Sequence, residues 1–260
     1  MTRTTGWCGS LAVLLGLILW GTGTQPAAHA AASPSAPQGI VYVVDGAGGF
    51  GATSRTLGKT IAEENMPLEV RSFHWTHGYC RVISDQVHAA HVRREGRKLA
   101  EVISSCRQEY PAQPIFIVAH SAGCAVALVA AENLPPNAIE RIVLLAPAVS
   151  VKRDLKPGLR CACQGVDVFI SDHDWAWLGL GTLVAGTTDR RWAMRAAGKA
   201  GFQPPLVGGE EEALFCKLRQ YPWDPSLMWT GHNGGHYGAY QPVFLRIFVL
   251  PLLVLGCAGG

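Results

Sequence analysis

Charge is scarce in this chain of 260 residues: Asp, Glu, Lys and Arg make up 16%, and the formal charge at pH 7 is +3. No basic block of the kind that tracks a phosphate backbone is present, which excludes nucleic acid as an expected partner. No apolar run reaches the roughly twenty residues that a membrane-spanning helix needs, so no stable membrane anchor is expected. The chain lacks an H-E-x-x-H pair, and no second cysteine pair stands at zinc-site spacing from Cys161 and Cys163. No metal is therefore expected. Internal repeats are missing too. What is plentiful is apolar: 48% of the residues are hydrophobic, enough for a large buried core and too many for a disordered chain.

The first thirty residues have their own organisation. Arg3 precedes the apolar run Leu11 to Trp20, and a small-residue stretch ends in Ala28-His29-Ala30. That is the layout of a secretory signal peptide with an A-x-A cleavage site, and it predicts a secreted or periplasmic protein. Residues 31–38, AASPSAPQ, carry no apolar periodicity and read as a flexible leader, so the domain is expected over 39–260. Seven cysteines lie beyond residue 30, and an exported chain can pair them. Candidates are Cys80, Cys106, Cys161, Cys163, Cys216 and Cys257.

From Gly39 onward strand-like and helix-like segments alternate, the signature of a mostly parallel sheet with helices on both faces. Strands are expected at Ile40–Val44, Leu68–Trp75, Pro114–Ala119, Arg141–Leu145 and Val166–Ile170, with a sixth within Phe215–Tyr221. Helices are expected around Thr56–Glu64, along a stripe through Leu99, Val102, Ile103, Cys106 and Tyr110, over Cys124–Asn133, and as a closing helix within Val243–Cys257.

The third strand runs without a turn residue through His120-Ser121-Ala122-Gly123 into an alanine-rich helix. Such a sharp corner lifts a serine hydroxyl clear of the backbone, and it brings strand and helix so close that the residues two before and two after must be small. Here they are Ala119 and Gly123. The segment resembles the nucleophile elbow G-x-S-x-G of the α/β-hydrolase superfamily, with alanine in place of the first glycine, as in lipase-like members. The resemblance implies a near-minimal α/β-hydrolase fold and a serine esterase with a catalytic triad and no cofactor. Its partner would be a small-molecule carboxylic ester.

In that superfamily the order along the chain is nucleophile, acid, histidine. The fifth strand ends in Ser171-Asp172-His173-Asp174, so Asp174 is the first candidate for the acid and Asp172 the alternative. The histidine is expected in Gly231-His232-Asn233-Gly234-Gly235-His236, with His236 preferred and His232 as fallback. Donors for a carbonyl oxyanion are the amide of Ala122, after the nucleophile, and that of Ala47 or Gly48 in the glycine-rich turn after the first strand. The segment Trp175–Gln220, with Trp175, Trp177, Trp192 and Phe202, is expected to form part of the pocket wall.

Two rival readings follow from the same residues. A protein could keep this fold and only bind, without catalysis. Alternatively, Gly46, Gly48 and Gly51 have the G-x-G-x-x-G spacing of a dinucleotide cradle. Histidines 74 and 77, 88 and 91, and 232 and 236 form pairs by spacing, none of them in a recognised metal-binding arrangement.

Overall fold

The structure, a computed structural model, describes residues 37–171, 173, 196–203 and 208–254. The expected signal peptide, most of the leader and both candidate acids, Asp172 and Asp174, lie outside the described residues.

Six strands form one all-parallel sheet: β1 (Gly39–Val44), β2 (Leu68–Ser72), β3 (Ile115–His120), β4 (Arg141–Leu145), β5 (Val166–Ile170) and β6 (Leu218–Pro222), in the order β2-β1-β3-β4-β5-β6. The order reverses direction between β1 and β3, and the carboxyl ends of strands at such a switch point are where open α/β sheets place their sites. The register aligns Val44 with Ala119 and His120 with Leu145. The ends of β1, β3 and β4 therefore form one continuous rim.

Every residue of β1 and β3 is buried, as their uninterrupted apolar sequences predict. The period of two divides each strand between two cores. Ile40, Tyr42 and Val44 of β1, with Ile115, Ile117 and Ala119 of β3, face α3 (Ala89–Glu109), α4 (Gly123–Glu132) and α5 (Lys156–Cys161). Val41, Val43, Phe116 and Val118 face α1 (Ala52–Glu63) and the C-terminal helical segment. The helix α4 is buried along nearly its whole length, which its alanine, valine and leucine content permits.

Some boundaries differ from the sequence reading. The helix α1 starts at Ala52, four residues early, because the carboxylate of Asp45 accepts the Thr53 and Ser54 amides and caps the first turn from a distance. The strand β2 stops at Ser72 rather than Trp75; the Trp75 side chain turns into the core, and its indole N–H donates to the Asp45 carbonyl at 2.7 Å. A short helix, α2 (Val82–Val87), precedes α3. Along the apolar stripe of α3, Val102 is 42% exposed and marks the edge of the face that Leu99, Ile103 and Cys106 bury. The closing segment is not a regular α-helix. It winds as an α-turn at Pro242–Phe244, loosens to a π-turn at Leu245–Val249 and tightens to a 3-10 turn at Leu250–Leu253. Pro251 lacks an N–H and crowds the preceding turn, which accounts for the break.

Cys80, Cys106, Cys124, Cys161, Cys163 and Cys216 are all free thiols, so the five described candidates do not pair with one another; Cys257 lies outside the described residues. Buried Cys161 has its pKa pushed up to about 12 by desolvation and stays protonated at neutral pH. No helix among the described residues is long and apolar enough to cross a membrane.

Candidate active site

Ser121 sits at the corner between β3 and α4 with φ of 53°, a left-handed conformation that a non-glycine residue rarely adopts. The corner is held on both sides: the Ser121 N–H donates to the Leu145 carbonyl at 3.0 Å, and the Ser121 carbonyl accepts the amides of Cys124 and Ala148, each at 3.1 Å. Strain of this kind persists only where surrounding bonds over-determine the backbone. The small flanking residues have a direct cause. A Cβ on Gly123 would lie 2.4 Å from the carbonyl oxygens of both Val44 and Asp45, closer than any side chain could approach. Ala119 is fully buried in the sheet.

The histidine loop reaches the corner from the far end of the chain. His236 Nε2 lies 2.9 Å from Ser121 Oγ, and both residues are buried. With Nε2 unprotonated, the imidazole accepts the serine hydroxyl, the contact a general base needs. Gly231 and Gly234 take φ of 85° and 79° and turn the loop over the rim. The fallback, His232, is brought to a different place. Its ring packs edge-on against Phe244, its Nδ1 accepts the Gly234 amide at 3.1 Å, and its carbonyl accepts the Trp223 indole. His173, the one described residue of the 172–174 stretch, packs its ring against Gly234, so the end of β5 runs beside the histidine loop.

The glycine-rich turn after β1 passes beside Ser121 and His120. A Cβ on Gly46 would sit 3.2 Å from Ser121 Cβ and 3.0 Å from the His120 ring, so only a bare backbone passes there. The amides of Ala122 and Ala47 have no acceptor among the described residues, while the Gly48 amide donates to Asp85 Oδ2 at 2.8 Å. Of the two expected loop donors, Gly48 is thus committed elsewhere. The same observations remove the dinucleotide reading. The α1 N-terminal amides that would hold a phosphate already hold Asp45, and Gly48 holds Asp85.

Two side chains at the site escaped the sequence reading. His120, the residue before the nucleophile, donates from Nε2 to the His236 carbonyl at 3.0 Å and packs between Gly46 and the ring of Tyr240. Its place inside the elbow motif was a usable signal. Burial pushes the Tyr240 phenol up to about 12, so it stays neutral beside these histidines. Asp85 had no local signal; only the fold brings α2 under the glycine turn.

The histidine pairs regroup across helices. His77, Asp85 and His91 each bring one potential ligand atom within 4.8 Å of the others. Their donors are already engaged, however. His77 Nδ1 bonds Asp85 Oδ1 at 2.8 Å, His91 Nε2 meets the Trp75 carbonyl, and Arg94 donates to His91 Nδ1. The His77 and His91 rings stack with centroids 3.8 Å apart, which aims their in-plane lone pairs side by side rather than at one point. Burial lowers the His91 pKa and keeps that ring neutral at pH 7.

A parallel six-stranded sheet, a strained serine at a strand-to-helix corner and a late histidine on its hydroxyl together define an α/β-hydrolase. A family model described as serine aminopeptidase, S33, matches residues 35–196, and the chain belongs to that family. Among solved structures it is similar to a Trichoderma reesei cutinase (15% identity, 84% of this chain and 77% of that one, TM-score 0.42). It is also similar to a cutinase-like protein from Cryptococcus sp. (15%, 84% and 97%, TM-score 0.43) and to the catalytic core domain of acetyl xylan esterase from Trichoderma reesei (14%, 81% and 98%, TM-score 0.42). No curated protein matches.

Proposed function

We propose that this protein is a secreted serine hydrolase that cleaves carboxylic esters by two-step acyl transfer. The single observation that carries the reading is the 2.9 Å contact between His236 Nε2 and the hydroxyl of the strained Ser121. Ser121 Oγ attacks the ester carbonyl carbon while its proton passes to His236 Nε2. The amides of Ala122 and Ala47 hold the oxyanion that forms. Collapse of the tetrahedral intermediate expels the alcohol, which takes the proton from His236 and leaves an acyl-serine. Water, deprotonated by His236, then repeats the sequence and releases the acid. Asp174 orients the imidazole and balances its charge, with Asp172 as the alternative. Export rests on the residues 1–30 and their A-x-A site.

Fluorophosphonate labelling tests the nucleophile. The wild type should be labelled and hydrolyse p-nitrophenyl esters, and Ser121→Ala should lose both by at least a thousandfold while remaining folded. More than a tenth of wild-type activity in folded Ser121→Ala would sink the assignment, and an unlabelled, inert wild type would favour the binding-protein reading. The family's description favours a second substrate class, N-terminal amides. Faster turnover of aminoacyl p-nitroanilides than of acyl esters would replace the ester by that class while leaving the machinery in place.

A further inference from the structure

Asp85 is fully buried on α2, yet none of the steps above uses it. Its carboxylate accepts three hydrogen bonds at 2.8 Å: the Gly48 amide on Oδ2, and the His77 amide and His77 Nδ1 on Oδ1. The Gly48 carbonyl in turn accepts the Cys80 amide at 2.9 Å. The middle of the glycine turn is therefore gripped at both its donor and its acceptor. The His77 ring is itself fixed, stacked on His91 and edge-on to His88, and His91 is tied to the Trp75 carbonyl. Trp75 closes the frame by donating its indole N–H to Asp45, the residue from which the turn departs.

We infer that Asp85 is a positioning residue for the oxyanion loop: by taking the Gly48 amide it fixes the turn so that the Ala47 amide is the loop's oxyanion donor. The inference rests on the serine-hydrolase reading. Three glycines of the turn, Gly48, Gly49 and Gly51, have positive φ, and such a backbone has several alternative states of similar energy. A buried carboxylate with three N–H partners selects one of them, because breaking its bonds leaves an unpaired charge in the core. An oxyanion donor works only when it is held in place before charge develops. The cost of losing that hold falls on the transition state and not on ester binding, since the ground-state carbonyl carries little charge.

The test is Asp85→Asn in the full chain, with Asp85→Ala beside it. Asparagine keeps the shape but offers only one acceptor atom, and its NH2 group confronts an N–H donor. For both variants kcat on p-nitrophenyl butyrate should fall about 10- to 100-fold with KM within twofold. The inhibition constant of a trifluoromethyl ketone, whose adduct carries the oxyanion, should rise by the same factor. A purely structural role would leave kcat and this constant unchanged in the folded fraction. A kcat loss below threefold, a loss confined to KM, or a gain in kcat would each overturn the inference. Should neither variant fold, His77→Phe, which keeps a stacked ring and the backbone amide but removes the ring nitrogen on Oδ1, should lower kcat at least threefold; an unchanged kcat there overturns it equally. Loss of labelling in Ser121→Ala together with unchanged kcat in the Asp85 variants would defeat this inference alone, whereas labelling retained in Ser121→Ala would defeat the hydrolase reading itself.

Discussion

Replacing Gly123 by alanine would place a methyl group 2.4 Å from two backbone oxygens, those of Val44 and Asp45. Ordinary carbon contacts need about 3.5 Å, so α4 and the end of β1 must part by roughly 1 Å. Neither oxygen belongs to a flexible side chain that could turn aside, and the Asp45 carbonyl is already tied to the Trp75 indole. Overpacking of this kind costs about 1–3 kcal/mol of stability. The consequence for catalysis is larger than for folding. Ala122 stands on the α4 side of the gap and Ala47 on the β1 side, so the clash drives the two amides of the proposed oxyanion hole apart. Misplacement by about 1 Å costs on the order of 100-fold. Gly123→Ala should thus lose about two orders of magnitude in kcat/KM for p-nitrophenyl butyrate, with a denaturant midpoint lowered to match 1–3 kcal/mol. Ala119→Gly, which removes a buried methyl and creates no clash, is the control; its activity should stay within severalfold of wild type. Wild-type stability and activity in Gly123→Ala would refute the reasoning about why the corner needs a glycine.

Of the two acids, Asp174→Asn should cut turnover by about a thousandfold or more, because the triad carboxylate holds the imidazole tautomer, while Asp172→Asn should mainly shift stability by about 1 kcal/mol. Reversed severities, read from kcat in folded variants, would exchange the assignment, and two mild variants would remove the role from this strand end. Near the start of β5, Asp167 is fully buried and bonded to Arg141, Arg219 and Tyr221. Burial alone would raise its pKa, but the two guanidiniums and the phenol outweigh it and the net direction is down. The depressed pKa makes the ionised carboxylate stabilising above its unfolded value of about 3.9 and removes that contribution as pH falls through the lower folded value. Asp167→Asn should therefore cost about 2–3 kcal/mol in urea melts at pH 7, somewhat less than a fully buried pair because Arg219 is 36% exposed, and the gap to wild type should narrow below about pH 4. A gap independent of pH would show that the network's charge does not matter. Finally, N-terminal sequencing of the exported protein should find a start at or near Ala31; an intact Met1 on the exported form would remove the cleavage assignment.

The sheet was legible because its information is local. Arg141–Leu145 and Val166–Ile170 are short apolar runs between breaks, and both strands have those bounds in the structure. The elbow was equally legible, since Ala119, Ser121 and Gly123 carry in their sizes the closeness of a strand and a helix that follow one another without a turn. His236 could be placed near Ser121 only by chain order and its glycine-rich loop. Tertiary packing, which no sequence window contains, sets the two apart: it packs His232 against Phe244 and brings His236 to the Ser121 hydroxyl. The end of β2 and the start of α1 depart from the sequence pattern for one shared reason: Asp45 gathers Trp75 and the α1 amides, and no sequence window contains all three. The glycine turn is the clearest division. Its sequence says that the backbone must bend freely and approach something closely, which suits a phosphate as well as a carbonyl. Only the fold, by bringing Asp85 from 37 residues away to the Gly48 amide and Asp45 to the head of α1, decides which N–H groups are already occupied, because a hydrogen-bond donor satisfied by a distant residue looks in sequence the same as one left for a ligand.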